Sequence, residues 1–159
     1  MNIHISSGNI KLGKIPNISL PPILTCEKHI PCSKEGCYAL KIYKLRPIVR
    51  DAWDENYKFY MTNSNEYFKK ISLYIKSKRK IPERFRWHVS GDIIDNDYLD
   101  GIKEVCFENK ETNFLIFTKK KLDYNLIPNN LTIRFSNWPN YYNDSNLSLS
   151  SWVKCYGSE

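Results

Sequence analysis

The spacing of apolar side chains predicts three helices in the first half of the chain. A helical pattern begins at Tyr38, and Pro47 suits the first turn of a second helix, where its missing N–H is not needed. Asn63 followed by Glu66 resembles the cap of a third helix. This third helix carries an apolar face that we assign to the core, formed by Tyr67, Phe68, Ile71, Tyr74 and Ile75.

Residues 85–90 change to the two-residue period of a strand. Large apolar side chains alternate with others in this segment, which places Arg86, His88 and Ser90 on one predicted face. Gly91 and the residue after it break the pattern. We therefore predict a strand over 85–90 with a turn directly behind it.

A capped helix and two more strands follow. Asp95 or Asn96 can cap a helix whose apolar face includes Cys106, which we predict to be a core residue. Residues 113–118 form a short continuous apolar run, which is typical of a strand buried in a parallel sheet. Residues 131–136 form a further strand of the same kind.

Strands that alternate with helices place the chain in the α/β class. We predict a partial (βα) barrel-like parallel sheet with about four strands and an N-terminal cysteine loop. The length suits a single domain over 1–159. It divides into an extended segment and cysteine loop (1–37), helices alternating with strands (38–136) and an irregular tail (137–159).

The predicted topology brings the carboxyl ends of the strands to one edge of the sheet. Ligands of α/β proteins bind at that edge. Polar residues that also form turns stand there, namely Ser90-Gly91-Asp92, Thr118-Lys119 and Ser136-Asn137. We expect these three strand ends to face the cysteine loop.

Charge and composition narrow the functional classes. The chain is 42% hydrophobic with a net charge of +7, and residues 1–90 carry 17 Lys and Arg against 7 Asp and Glu. This basic half suggests an anionic partner, such as a nucleic acid or nucleotide, and a solvated basic face explains the same charge equally well. The N-terminus lacks a signal-peptide pattern, and no apolar run approaches the roughly 18 residues of a membrane span. We expect an intracellular protein with no membrane partner.

Three of the five cysteines, Cys26, Cys32 and Cys37, fall within twelve residues with the spacing C-x5-C-x4-C. Intracellular thiols stay reduced, so a metal site is favoured over disulfides. Three thiolates can hold three irons of a [4Fe–4S] cluster and leave the fourth iron for a ligand. With His29 they could instead close a tetrahedral zinc site, and Cys155 is a more distant fourth ligand. Free thiols are the remaining alternative.

Several motifs, in chain order, resemble those of the phage gene product 88 family. The resemblance covers most of the chain, and its specificity comes from the order of the motifs. They are Leu12-Gly13-Lys14-Ile15-Pro16, Leu20-Pro21-Pro22, Cys37-Tyr38-Ala39 behind two upstream cysteines, Arg86 to Ile93 with Asp97-Tyr98-Leu99, Phe117-Thr118-Lys119-Lys120, and Phe135-Ser136-Asn137-Trp138-Pro139. A phage origin implies the cytoplasm of the bacterial host cell.

That family is in turn similar to radical S-adenosylmethionine enzymes. The similarity implies that Cys26, Cys32 and Cys37 hold a [4Fe–4S] cluster, although their spacing is longer than the usual C-x3-C-x2-C. Ser90-Gly91-Asp92 would stand where the motif that meets the amino group of S-adenosylmethionine stands. The similarity places Ser90, Gly91, Asp92, Thr118, Lys119 and Ser136 around the cofactor. We add Tyr38, which follows Cys37, and His88, which could donate a hydrogen bond or act as an acid near a cluster; a structural role is the alternative for His88.

Two classes of function follow. The first is an iron–sulfur protein that resembles radical S-adenosylmethionine enzymes and modifies a nucleotide or nucleic acid. The second is a non-enzymatic binding protein with a structural metal loop, whose basic and aromatic surface engages nucleic acid or a host protein. Bound iron and sulfide would distinguish the first from the second, which predicts zinc and salt-sensitive binding.

Overall fold

The computed structural model describes residues 1–8, 13–28, 32, 36–137 and 152–154. Over these residues the chain is a mixed α/β structure built on one sheet. Its six strands are β1 (Ile5–Ser6), β2 (Asn17–Ile18), β3 (Arg84–Trp87), β4 (Asn113–Thr118), β5 (Leu131–Asn137) and β6 (Trp152–Lys154). They lie side by side in chain order. β1 is antiparallel to β2, whereas β2 through β6 are parallel.

The four helices of the described residues fall between β2 and β4. They are α1 (Tyr38–Leu45), α2 (Pro47–Thr62), α3 (Ser64–Lys76) and α4 (Asn96–Glu108). The first three connect β2 to β3, and α4 connects β3 to β4. No helix in this part of the chain is both long and apolar enough to cross a bilayer.

Helix starts were predicted correctly because capping is a local interaction. Pro47 occupies the first turn of α2. The Asn63 side chain accepts a hydrogen bond from the Glu66 N–H at 3.0 Å, which satisfies one free donor at the start of α3. Asp95 does the same for the N–H of Tyr98 in α4, at 2.8 Å.

The two faces of the sheet differ in what covers them. Along β3 and β4, buried Phe85, Trp87, Phe114 and Ile116 alternate with less buried residues. The buried set contacts the helices, as shown by the Phe68 ring of α3 lying 6.3 Å from the Trp87 ring. The opposite side, which we call the open face, carries Asn17, Arg84, Arg86, Asn113, Leu115, Phe117, Thr132 and Arg134.

Aromatic side chains form the core between the sheet and the helices. Tyr60 of α2, Phe68 of α3 and Tyr98 of α4 meet edge to face, with ring centroids 4.7 Å apart for Tyr60 and Tyr98 and 5.2 Å apart for Phe68 and Tyr98. Each such pair contributes about 0.5–1.5 kcal/mol beyond its buried area. This cluster joins three helices at one point above β3.

The structure corrects three predictions about strands. Five parallel strands are present where about four were predicted, because β2 is too short, at two residues, to show a period in the sequence. β4 is buried only on its helix side, since Leu115 and Phe117 are half-buried on the open face. Part of the predicted irregular tail is a strand, β6. The rest of that tail, 138–151 and 155–159, lies outside the described residues.

Gly101 lets α4 approach α3, and Gly101→Ala should destabilise the fold. An added Cβ would stand 2.1 Å from Cε2 of the Phe68 ring. The substitution should lower the free energy of unfolding by about 1–3 kcal/mol, despite the roughly 1 kcal/mol gain in helix propensity, because the aromatic core must shift. Urea unfolding measures the change. The exposed Glu104→Ala on the same helix serves as the control and should change stability by less than about 0.5 kcal/mol.

Candidate functional site

The segment that leads to the cysteines is fixed at the carboxyl edge of β2 and β3. Beyond β2, the N–H of Leu20 donates to the carbonyl of Ser90 at 3.0 Å. The buried Thr25 hydroxyl donates to the carbonyl of Pro21 at 2.9 Å and accepts the N–H of Asp92 at 3.2 Å. Cys26 therefore begins its loop directly beside the end of β3.

Gly91 is the residue that permits this contact. Its φ is +80°, and a Cβ there would stand 2.6 Å from the Thr25 hydroxyl oxygen and 2.9 Å from the Leu20 carbonyl oxygen. Any other residue would suffer both backbone strain and overlap with the cysteine segment. The turn predicted behind residues 85–90 is present. It is needed because the backbone at Gly91 packs directly against Leu20 and Thr25.

Cys26, Cys32 and Cys37 lie in one region, and each is half-buried and outside any disulfide. Burial raises the pKa of the Cys26 thiol to about 11, against a hydrogen bond with the Ile23 backbone. The negative charges of Asp92, Cys32 and Cys37 raise this pKa further, so Cys26 interacts through space with each of these three groups.

The described residues hold no group of three or more His, Cys, Asp or Glu side chains close enough to coordinate an ion. The three thiols are thus neighbours rather than an assembled set of ligands. Three sulfur donors on one loop do fit a soft metal, which means iron in a cluster or zinc. The predicted alternative ligands His29 and Cys155 lie outside the described residues.

Asp92 connects the ends of β3 and β4. Its carboxylate accepts the N–H of Ile93 at 2.8 Å and the N–H of Lys119 at 2.9 Å, and the Thr118 hydroxyl bonds to it as well. Burial raises the pKa of Asp92, while these hydrogen bonds and the charge of Lys120 oppose the rise. Three of the predicted site residues, Asp92, Thr118 and Lys119, are therefore brought into direct contact.

His88 is placed differently from its prediction. β3 ends at Trp87, and His88 has a φ of +55°, which reverses the alternation behind the strand. Its buried ring lies on the helix side, where Nε2 is 3.0 Å from the Tyr98 hydroxyl. Val89, rather than His88, shares the open face with Arg86. The predicted common face of Arg86, His88 and Ser90 is wrong because it assumed a regular strand through this point.

The protonation state of His88 follows from its surroundings. Burial and the positive charge of Arg86 lower its pKa to about 3, so the imidazole is neutral at neutral pH. Its Nδ1 is buried with no hydrogen-bond partner among the described residues, and the same holds for the hydroxyl of Ser90. Two buried polar atoms close behind β3 are thus without a partner in the part of the chain that the structure describes.

Tyr38 and Ser136 complete the set of predicted site residues. Tyr38 follows Cys37 directly, begins α1 and donates its hydroxyl to the carbonyl of Val89, which links the far side of the cysteine loop to the end of β3. Ser136 is buried one residue beyond Phe135, the β5 partner of Thr118. It shares the edge, but no contact with the cysteine segment is described.

Some residues of the site carry no clear signal in the sequence. Thr25 acts through its hydroxyl on two backbone groups, and Tyr98 acts as the partner of His88 from a neighbouring helix. Tyr98 belongs to a matched family motif, but that match does not indicate its contact. Arg86 lowers the pKa of His88. Its place on an uncovered face of the sheet could not be recognised from the sequence.

An open, largely parallel α/β sheet with a cysteine segment fixed at its carboxyl edge defines the class of this protein. The chain belongs to the Gene product 88 family, whose family model matches residues 4–146. This confirms the family resemblance predicted from the ordered motifs. Comparisons with curated proteins and with solved structures gave no match. The likeness to radical S-adenosylmethionine enzymes stays a prediction.

The buried neutral His88 should make stability depend on pH. Its pKa is about 3 in the folded chain and 6.5 without the fold, so the unfolded chain binds more protons between these values. The contribution of the neutral ring is complete above pH 6.5 and is lost, by up to about 1.4 kcal/mol per pH unit, as the pH falls towards 3. Asn tolerates a positive φ and does not titrate, so His88→Asn should lack this component.

Urea unfolding of both proteins at intervals from pH 7.5 to pH 4 measures the effect. The stability advantage of the original chain over His88→Asn should shrink steadily below pH 6.5, and a gap that stays constant would contradict a neutral His88. The values above pH 7, where neither protein changes charge at this position, give the baseline.

Proposed function

We propose that this protein binds a [4Fe–4S] cluster through Cys26, Cys32 and Cys37 at the carboxyl edge of its sheet. The observation that carries the proposal is the fixed position of the cysteine segment between β2 and the end of β3, through Thr25 and Gly91. A chain that needed only three free thiols on its surface would not require this long-range contact.

The order of the elements supports a likeness to radical S-adenosylmethionine enzymes. Parallel strands that follow one another in chain order, with helices on one side, are the arrangement of a partial (βα) barrel. We propose such barrel-like curvature for the sheet, with the open face inside. The cysteine loop then follows the first parallel strand and Ser90-Gly91-Asp92 follows the second, which is the order that the similarity implies.

A cluster held by these three thiolates would leave one iron without a protein ligand, at which S-adenosylmethionine could bind. The residues of this chain would contribute position and hydrogen bonds. The Ser90 hydroxyl has no partner in the described chain, so it is free to bond to a cofactor. The neutral His88, whose ring lies on the helix side against Tyr98, would support the end of β3, and its low pKa makes it a poor proton donor at neutral pH.

The basic half of the chain favours a nucleotide or nucleic acid as substrate. The alternative is a non-enzymatic protein in which zinc, held by the same thiols, stabilises the loop, and nucleic acid or a host protein is the partner. Thiolate ligands suit both metals, so the two candidates differ in metal content rather than in the residues that bind it.

Anaerobically purified protein should contain about four irons and four sulfides per chain and show the absorption of a [4Fe–4S] centre. Cys26→Ser, Cys32→Ser and Cys37→Ser, singly and together, should lose this iron because each removes a ligand. Cys106→Ala is the matched control, since it removes a buried core thiol far along the chain, and it should keep the iron.

Stoichiometric zinc without sulfide in the anaerobic protein would contradict the cluster and support the structural metal loop. Iron that persists in the triple serine variant would contradict the assignment of these three ligands. Circular dichroism of every variant establishes that a loss of metal does not follow from a loss of fold.

Protein that carries its full iron content should cleave S-adenosylmethionine when a reductant is supplied. The measurement is the time course of cofactor loss, with the triple serine variant as the control that should show none. A cluster-loaded protein that leaves the cofactor intact would contradict the enzymatic part of the proposal. Whether the cluster is bound would still be decided by the iron and sulfide content.

A further inference from the structure

A cavity of about 590 Å³ lies on the open face of the sheet. Its floor includes Leu115 and Phe117 of β4, and its charged residues are Arg84, Arg86 and Arg134. No Asp or Glu is among its described lining residues. A volume of this size is typical of sites for small ligands or for one unit of a polymer.

The arginines of β3 have no counter-charge within the described chain. Neither Arg84 nor Arg86 forms an ion pair there. The Nε atom of Arg86 is buried without a hydrogen-bond partner among the described residues, and its guanidinium lies 5.1 Å from the centre of the Phe117 ring. Burying an unpaired charged donor costs free energy, so this atom indicates an acceptor that the described residues do not supply and that a bound ligand would provide.

A second cavity, also about 590 Å³, adjoins the first at the amino edge of the sheet. The two share Ile15 and Arg84 as lining residues. Lys14, Lys78 and Lys80 add positive charge to the second cavity, and Glu83, whose carboxylate is 3.6 Å from the Lys80 ammonium, is its one carboxylate among the described lining residues. The positive charge is therefore continuous from the loop behind α3 to the centre of the open face.

We propose that the open face binds single-stranded nucleic acid. Phosphate groups would meet Arg84, Arg86 and Arg134, whose planar guanidinium groups suit bidentate contacts to phosphate oxygens. A base would lie on the apolar floor at Leu115 and Phe117, and the strand would leave past Arg84 towards the lysines. An apolar floor combined with a basic path is the arrangement that single-strand binding uses.

The two adjoining cavities favour a single strand over a free nucleotide or a duplex. A free nucleotide would use one cavity and leave the other basic cavity empty. A duplex keeps its bases stacked inside the helix and could not place one against Leu115 and Phe117. A flexible single strand can place one base in the first cavity and the following phosphates along the second.

Binding of a labelled single strand of roughly ten nucleotides, followed by fluorescence anisotropy, tests the proposal. Arg84→Gln, Arg86→Gln and Arg134→Gln should each weaken binding, and the triple variant should weaken it by at least roughly tenfold. The slope of log affinity against log salt should fall by about 0.7 for each phosphate that the variant no longer neutralises. Arg50→Gln on α2 is the matched control, because it removes the same charge outside both cavities.

Phe117→Leu tests the place of the base. It keeps the charge and removes the ring, so affinity should fall while the salt slope stays unchanged. A salt slope that fell as in the arginine variants would instead mean that Phe117 only positions Arg86. Thermal melting of each variant should show that the fold is retained.

Three outcomes would overturn the proposal. One is equal binding by the triple arginine variant and Arg50→Gln. The others are a duplex that binds as tightly as the single strand, or a mononucleotide that competes at the same concentration as the oligonucleotide. The triple Cys26, Cys32 and Cys37 serine variant should bind normally, so the failure of the cluster proposal and the failure of this one can be told apart.

Discussion

The close approach of backbone to backbone at Gly91 governs the arrangement of the whole edge. The chain behind β3 lies against Leu20 and Thr25 with no space for a side chain, and the N–H of the next residue bonds to the Thr25 hydroxyl. Asp92 then extends the contact to the end of β4 through the N–H of Lys119. Three strand ends and the cysteine segment are thus joined by short-range interactions, so a change at any one of them shifts the others.

Arg86 relates the two regions to which we assign function. Its guanidinium lies on the open face over Phe117, and its charge also lowers the pKa of the buried His88 on the other side of the sheet. A phosphate bound near Arg86 would offset that charge. Binding of a phosphate at the open face would therefore raise the pKa of the His88 imidazole.

Most of the regular structure could be predicted from the sequence, because its signals are local. The caps Asn63 and Asp95, the first-turn Pro47 and the core position of Cys106 are all where their patterns indicated. The two-residue strands β1 and β2 left no such signal, since their pairing depends on distant partners. The sequence was therefore sufficient to predict the helices and the longer strands, but not the number of strands in the sheet.

The candidate site was predictable in part for a similar reason. Parallel topology alone indicated that Asp92, Thr118 and Lys119 would meet, and they do. The orientation of His88 depends on one left-handed residue, and alternation cannot anticipate such a break. The arginines of the open face looked like ordinary exposed positions of a strand, because only the uncovered side of the sheet gives them a common cavity.

The contacts at Gly91 also have a consequence for the order of events during synthesis. The Thr25 hydroxyl and the Asp92 N–H are separated by 67 positions, so the cysteine segment leaves the ribosome well before the surface that fixes it exists. Until β3 and its turn are made, the thiols belong to an unanchored chain. Maturation of any metal centre here would consequently be a late step, after the central strands have folded, and a nascent chain stalled before residue 92 would expose three unprotected thiols.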